Sequence, residues 1–319
     1  MKLEKVRWGI IGCGDVTEVK SGPAFQKSKN SELVAVMRRN GKLAKDYAER
    51  HGVPKWYDDA DALINDSAVD AVYIATPPSS HKEYTIKVAK AGKPIYVEKP
   101  MALNIEECNE MIAACKEAGV PLYVAYYRRA MPRFVKIKEL LDNHAIGDVR
   151  FVSTTQYQKP MEDLKDSWRV KPEISGGGLF FDVGSHTLDI LDFLLGPIKE
   201  IKGFTANQAG NYEVEDIVTG AYLFESGIHG MGNWCFTAYD NVDKNEIIGS
   251  KGKITFSTTG NEPVVLTTMD GTKEFAFDIP QHVHQPLVET IVAELTGQSD
   301  KCPSTGVSGA RTNMVMEQF

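Results

Sequence analysis

No apolar run in the chain approaches the ~18 residues of a membrane span. That argues against a transmembrane protein. Cysteine is scarce: positions 13, 108, 115, 235 and 302 make an odd number, and no close pair has metal-ligand or redox spacing. A disulfide framework and a thiolate metal cluster are therefore disfavoured, and a reducing cytoplasm is the simplest setting. Cys108 and Cys115 lie seven apart on one predicted helix, which suits packing. Basic residues are in deficit, 36 Lys and Arg against 43 Asp and Glu, for a net charge of -7. That balance disfavours nucleic acid as a partner, although a local basic cluster can still hold an anionic cofactor. Internal repeats and low-complexity tracts are missing. The lead Met1 to Arg7 has neither the apolar core nor the cleavage site of a secretory signal. What is present is a sizeable core: 42% hydrophobic and 25% charged residues over 319 positions, enough for two domains.

The first third alternates short apolar runs with amphipathic stretches. Val6 to Ile11, Leu33 to Met37, Ala71 to Ala75, Lys93 to Val97 and Pro121 to Ala125 read as strands. Lys42 to His51, Lys82 to Ala91 and Ile105 to Ala118 read as helices, the last two stopped by Gly92 and Gly119. Continuous apolar strands separated by helices indicate a parallel sheet covered on both faces. Beyond a helix at Pro132 to Asn143 the runs lengthen and alternate, as in Val149 to Gln158, Glu215 to Phe224, Ile228 to Thr237 and Glu246 to Gly249. Ser226-Gly227, Lys251-Gly252 and Asp270-Gly271 mark turns, so a mostly antiparallel sheet follows. A helix from Leu179 to Leu195 interrupts it, and a last helix at Pro286 to Leu295 precedes a short tail ending mid-pattern at Met316 to Phe319. The expected architecture is an α/β Rossmann domain over residues 1–125 and an α+β domain with a large open sheet over 126–319.

Gly9 to Thr17 reads GIIGCGDVT, directly after the first strand and opening a helix. Gly12 permits the tight turn, and Gly14 lets backbone N–H groups approach a pyrophosphate. Asp15, Val16 and Thr17 complete this candidate nucleotide loop, with Thr17 where glycine or alanine is usual. The second strand runs into Arg38-Arg39-Asn40 with no carboxylate to hold a ribose 2′-hydroxyl. Two guanidiniums there suit a 2′-phosphate, so NADP is expected in preference to NAD; a solvated basic turn is the alternative.

Two further strand ends face the same crevice. Thr76, Pro77 and His81 lie in ATPPSSH, and Glu98-Lys99-Pro100 ends the strand PIYV. With YVAYYRR, SWRV and GGGLFFDVGSHTLD these motifs resemble the glucose–fructose oxidoreductase / inositol dehydrogenase / rhizopine-catabolism group, Gfo/Idh/MocA. The quoted pieces run from Gly9 to Asp189, and the domain pattern extends the likeness over nearly the whole chain. Within that group the sequence is similar to sugar reductases and dehydrogenases. The resemblance implies a nicotinamide cofactor, a small sugar- or cyclitol-like substrate, Lys99 as acid/base, and Asp182 and His186 facing the substrate. It also implies that Trp168 and Arg169 reach the cofactor, with Glu98 beside them, and that dimers or tetramers pack through the C-terminal sheet.

Asp182 and His186 are four apart in a predicted helix and share one face. By spacing alone, Asp182, Ser185, His186 and Asp189 also fit a plain solvent face. Tyr126 suits either the nicotinamide pocket or hinge packing. His282 and His284 lack further metal ligands and read as surface or substrate-rim residues, with His284 the better substrate candidate.

Carbonyl reduction needs hydride on carbon and a proton on oxygen. Histidine titrates near neutral pH unaided, and lysine does so only where its surroundings lower its pKa. Lys99 is expected to exchange the proton, with His186 on the same oxygen and Asp182 orienting it. That reading requires the two groups to converge beside the nicotinamide. A dinucleotide-dependent glycoside hydrolase or lyase working by transient redox is an alternative. A non-catalytic sensor is another, and Lys99, Asp182 and His186 together argue against it.

Overall fold

The computed structural model describes residues 3–161, 163–299 and 301–319, so Met1 and Lys2 of the charged lead lie outside it. The chain forms two compact units. One holds the residues through Ala102, Glu106–Ala130 and Pro280–Ala310; the other holds Leu103–Ile105, Met131–Ile279 and Arg311–Phe319. The first unit thus extends past the expected boundary at 125 and takes back a segment near the end of the chain.

In the first unit the chain runs β1 (Val6–Ile11), α1 (Asp15–Val19), α2 (Gly22–Lys27), β2 (Ser31–Met37), α3 (Gly41–His51) and β3 (Lys55–Tyr57). It continues through α4 (Ala60–Ile64), β4 (Ala71–Ile74), α5 (His81–Lys90), β5 (Ile95–Val97), α6 (Ile105–Ala118) and β6 (Leu122–Val124). The six strands order as β3-β2-β1-β4-β5-β6, all parallel. This is the doubly wound dinucleotide-binding order, which reverses beside β1 and puts ligands outside the carboxyl ends of its strands. Three strands are fully buried and apolar, as sheets covered on both faces require. β3 escaped the sequence pattern because its three residues are largely exposed and carry no alternation. Trp8, Phe25, Tyr73 and Tyr96 pack at the centre of the core, with Trp8 4.8 Å from Phe25 and Tyr73 4.8 Å from Tyr96.

The second unit contains α7 (Pro132–Asp142), β7 (Val149–Tyr157), α8 (Pro172–Ser175), α9 (Ser185–Leu195), β8 (Ile198–Ala206), β9 (Ile217–Phe224) and β10 (His229–Cys235). β11 (Val242–Gly249), β12 (Gly252–Phe256), β13 (Val264–Thr268) and β14 (Gly271–Phe275) complete an eight-stranded sheet. Its order is β14-β13-β12-β11-β7-β10-β9-β8, antiparallel except where β7 meets β10. α10 (Gln285–Leu295) belongs to the first unit, and its Leu287, Val288, Ile291 and Val292 enter that unit's core. The expected short tail is instead α11 (Gly306–Met316). Arg311 on it forms a two-pronged ion pair with buried Asp192 of α9, at 2.8 and 2.7 Å. Phe319 seats on the sheet beside Phe180 and Trp234, with ring centroids 5.2 and 5.6 Å away. Gly203 and Gly220 make that seat, since a Cβ on either would lie 2.6 or 2.5 Å from the Phe319 ring.

Candidate active site

The nucleotide loop is held on both sides. The N–H groups of Gly12 and Cys13 donate to the carbonyl of Met37, at 2.8 and 3.1 Å, tying the loop to the end of β2. Gly12 has φ 89°, and a Cβ there would sit 2.7 Å from Thr76 Cγ2, so glycine is demanded both by conformation and by the nearness of β4's end. Gly14 differs: its backbone is extended, and a Cβ would meet only the Gly12 carbonyl at 3.8 Å. A side chain there would occupy the open space at the start of α1, the cradle that a pyrophosphate needs. Thr17 is buried rather than facing that space, and its hydroxyl donates to the Gly14 carbonyl at 2.7 Å. Its departure from the usual small residue is absorbed by this bond. Tyr47 of α3 donates to the Thr17 carbonyl (2.7 Å), and Arg50 grips Glu18 through two 2.8 Å contacts. These contacts hold Glu18 at about 2, well below the usual carboxylate range, chiefly through the Arg50 hydrogen bond.

Arg38 and Arg39 follow β2 and are exposed. Neither guanidinium forms a hydrogen bond or ion pair among the described residues. Asn40 instead caps α3, its side chain accepting from the Leu43 N–H at 3.4 Å. The loop therefore presents two uncommitted cations where an NAD site carries a carboxylate.

At the end of β5 the side chain of Glu98 turns inward. It is 8% exposed, accepts a short bond from the Tyr73 hydroxyl, and accepts the Lys99 backbone N–H at 3.1 Å. Lys99 is partly exposed, and its peptide bond to Pro100 is cis. His81 joins the two strand ends. Its Nε2 lies 2.7 Å from the Thr76 carbonyl and its Nδ1 3.1 and 3.2 Å from the carbonyls of Pro100 and Met101. Burial pulls its pKa below the usual value, against the three carbonyls, which favour the protonated ring.

In the second unit Gly176, Gly177 and Gly178 lead into a π-helical turn at Phe180–Gly184, which α9 continues. Asp182 lies in the π turn and His186 in the first turn of α9, so they do not share one uninterrupted α-helix as the spacing implied. π turns leave the regular ladder locally and recur at functional sites. Arg169 donates from Nε to Asp182 at 3.0 Å while its guanidinium stacks 4.6 Å over Trp168. The solvent-face reading fails: Ser185, His186 and Asp189 are 0%, 7% and 1% exposed. α9 is buried nearly all round, its polar residues Ser185, His186, Thr187, Asp189 and Asp192 included.

The same unit holds a cleft of ≈ 600 Å³ at one end of the sheet, between the end of β7, the start of β11 and the loop after β12. Gln156 lines it and is 1% exposed, yet among the described residues neither its Oε1 nor its Nε2 has a partner. Asp243, the cross-strand partner of Gln156 on β11, accepts the N–H groups of Thr258, Thr259 and Gly260 and holds that loop. Thr258 in turn bonds Thr187, the neighbour of His186, at 3.1 Å between hydroxyls.

Residues 6–126 match the oxidoreductase family with an NAD-binding Rossmann fold, and residues 134–255 match the GFO/IDH/MocA C-terminal domain. The chain belongs to the Gfo/Idh/MocA family. An oxidoreductase of Formosa agariphila is 40% identical over 99% of this chain and 98% of its own length. Myo-inositol 2-dehydrogenase of Thermotoga maritima is 30% identical, covering 83% of this chain and 79% of that one. The 1,5-anhydro-D-fructose reductase of Ensifer adhaerens is 27% identical, over 95% and 92%. Among solved structures, aldose-aldose oxidoreductase from Caulobacter crescentus complexed with glycerol has a TM-score of 0.88 and 27% identity, over 98% of this chain and 96% of that one.

As a Gfo/Idh/MocA protein this chain is an NAD(P)-dependent oxidoreductase, and several sequence-level assignments need correction against its geometry. Tyr126 is fully buried, which favours packing over lining a pocket. His81 has no exposed surface for a cofactor and ties backbone to backbone instead. His282 and His284 are 7% and 1% exposed, so neither is a surface or rim residue. Arg169, expected on the cofactor, is half-exposed and pairs with Asp182 at 3.0 Å, which leaves that expectation open. Gln156 was overlooked, although alternation along β7 puts it on the buried face with Val152 and Thr154. A large amide at that parity is the signal that would have found it. Among the described residues no cluster of three potential metal ligands occurs, and no helix is long and apolar enough to cross a membrane.

Proposed function

We propose that this family member is an NADP-preferring oxidoreductase acting on a small polyhydroxylated carbonyl or alcohol. The uncommitted pair Arg38 and Arg39 at the end of β2 carries the cofactor preference. The names of the relatives, an inositol dehydrogenase and an anhydro-sugar reductase, support the substrate class.

When bound, the nicotinamide supplies or accepts the hydride. Backbone around Gly12 and Gly14 holds the pyrophosphate, with Asp15 and Val16 opening the first helix and Thr76 and Pro77 bordering the loop. Arg38 and Arg39 take the 2′-phosphate through charge-assisted bonds. Lys99 gives a proton to the carbonyl oxygen, or takes one from the alcohol. His186 and Asp182 bind and orient substrate hydroxyls, with Arg169 fixing the Asp182 carboxylate and Trp168 supporting Arg169. Gln156 reads a further hydroxyl, because an amide with two donors and an acceptor, buried without partners, matches an alcohol that both gives and accepts a hydrogen bond.

Arg38→Ser and Arg39→Ser test the preference. Each is expected to lower kcat/KM with NADPH by roughly 10- to 100-fold, the worth of a charged hydrogen bond, and to leave that with NADH nearly unchanged. Equal losses with both cofactors would contradict the assignment.

A further inference from the structure

The segment His282-Val283-His284 belongs to the first unit, and nothing above gives it a task. Both rings are buried; His282 packs against α1 and α2, and His284 against β5 and Glu98. His282 lies with Nε2 2.6 Å from the Lys27 ammonium and Nδ1 2.6 Å from the Val19 carbonyl. An ammonium can only donate, so the ring proton sits on Nδ1 and is given to Val19. The backbone N–H of His284 donates to the Lys20 carbonyl at 3.2 Å. The segment therefore grips the end of α1.

The His284 ring faces the strand that ends in Glu98-Lys99. Its Nδ1 is 2.9 Å from the Tyr96 hydroxyl and its Nε2 3.6 Å from Glu98 Oε1. Tyr127 lies against the ring at 4.7 Å between centroids, and Tyr73 packs edge-on at 6.3 Å. Burial, reinforced by the charges of Lys20, Lys99 and Arg128, pushes His284 down to about 3. The neutral ring carries one proton. With it on Nε2, the N–H lies on the side of the Glu98 carboxylate, 3.6 Å away and beyond hydrogen-bond length, so the two couple by dipole and charge while Nδ1 accepts from Tyr96. The other tautomer would aim a lone pair at that carboxylate. Glu98 meanwhile accepts from Tyr73 and, through Oε2, from the Lys99 backbone N–H at 3.1 Å.

We infer that His284 is a positioning residue that acts through Glu98, fixing the carboxylate that holds the Lys99 backbone and thereby the direction of the Lys99 ammonium. The inference rests on the proton-transfer role proposed for Lys99. It assigns His284 no contact with substrate or cofactor.

Glutamine can place its amide nitrogen near the position of Nε2, asparagine only near Nδ1, and phenylalanine fills the volume without either. His284→Gln is expected to retain kcat within about 3-fold, whereas His284→Asn and His284→Phe lower it ~10- to 100-fold, with KM and NADPH affinity by fluorescence titration nearly unchanged. His284→Phe combined with Glu98→Gln should be no slower than Glu98→Gln alone, because both remove one coupled arrangement. A folded His284→Phe or His284→Asn with wild-type kcat would overturn the inference. So would equal losses in all three variants tracking Tm, or losses that multiply in the double variant. Lys99→Met separates the two ideas. If it stays active, the role of Lys99 fails and this inference falls with it; if it is inactive while His284→Phe keeps full kcat, only His284 is wrongly assigned.

Discussion

A single amide shows how function and stability diverge at the scale of the residue. Gln156 is buried with neither polar atom partnered among the described residues, an arrangement that costs about 1–3 kcal/mol and that a folded chain keeps only for a reason. Gln156→Met removes the cost while preserving size. It should raise Tm and raise KM for the polyol about 10-fold, with NADPH affinity unchanged. A lower Tm with unchanged KM would make Gln156 a structural residue. Much of the site was legible at this scale. Gly12, Gly14, Arg38, Arg39 and the Glu98-Lys99-Pro100 run stand at strand ends, where chain order alone fixes their place. His81, His284 and Tyr126 were not legible, because a polar residue reads as surface until its burial is known. His284 meets β5 from 188 residues away, and no local pattern reports that.

Elements are stitched by charges whose titration windows can be told apart. Glu18 joins α1 to α3 through Arg50, and through His51 at 2.7 Å. Its pKa is lowered from 4.5 to about 2, so this link is complete above about 4.5 and is lost as pH falls through about 2. His284 acts in a different window. Its pKa falls from 6.5 to about 3, so the unfolded chain takes up a proton that the folded one refuses, and stability declines as pH drops from 6.5 towards 3. Chemical denaturation across pH should show wild type losing stability below 6.5. His284→Gln should flatten the segment between 6.5 and 4.5, and Glu18→Gln only that below 4.5. Identical profiles for all three proteins would refute both assignments. The parallel and antiparallel patterns were readable from sequence because each strand carries its own periodicity. The π turn at 180–184 was not, since one extra residue in a turn leaves the apolar spacing almost intact.

On the scale of the whole molecule, the second unit's sheet exposes one face. Phe204, Met231 and Ile248 are 81%, 44% and 39% exposed on β8, β10 and β11, and such apolar positions favour association. We propose that this face forms a homodimer or homotetramer, as the sequence resemblance suggested. Light scattering after size exclusion should give an oligomer for wild type and a smaller species for Met231→Lys with Ile248→Lys; a monomeric wild type would exclude it. The central claim, however, is chemical: residue 99 moves a proton while hydride moves to or from a polyol. Its most direct test follows the reduced-nicotinamide absorbance with aldoses, ketoses, inositols and anhydro-sugars, comparing wild type with Lys99→Met. The account predicts stoichiometric turnover by wild type with NADP(H) and a loss of ~100- to 10,000-fold in kcat for the variant, with cofactor still bound. Undiminished turnover in a folded Lys99→Met protein would contradict it.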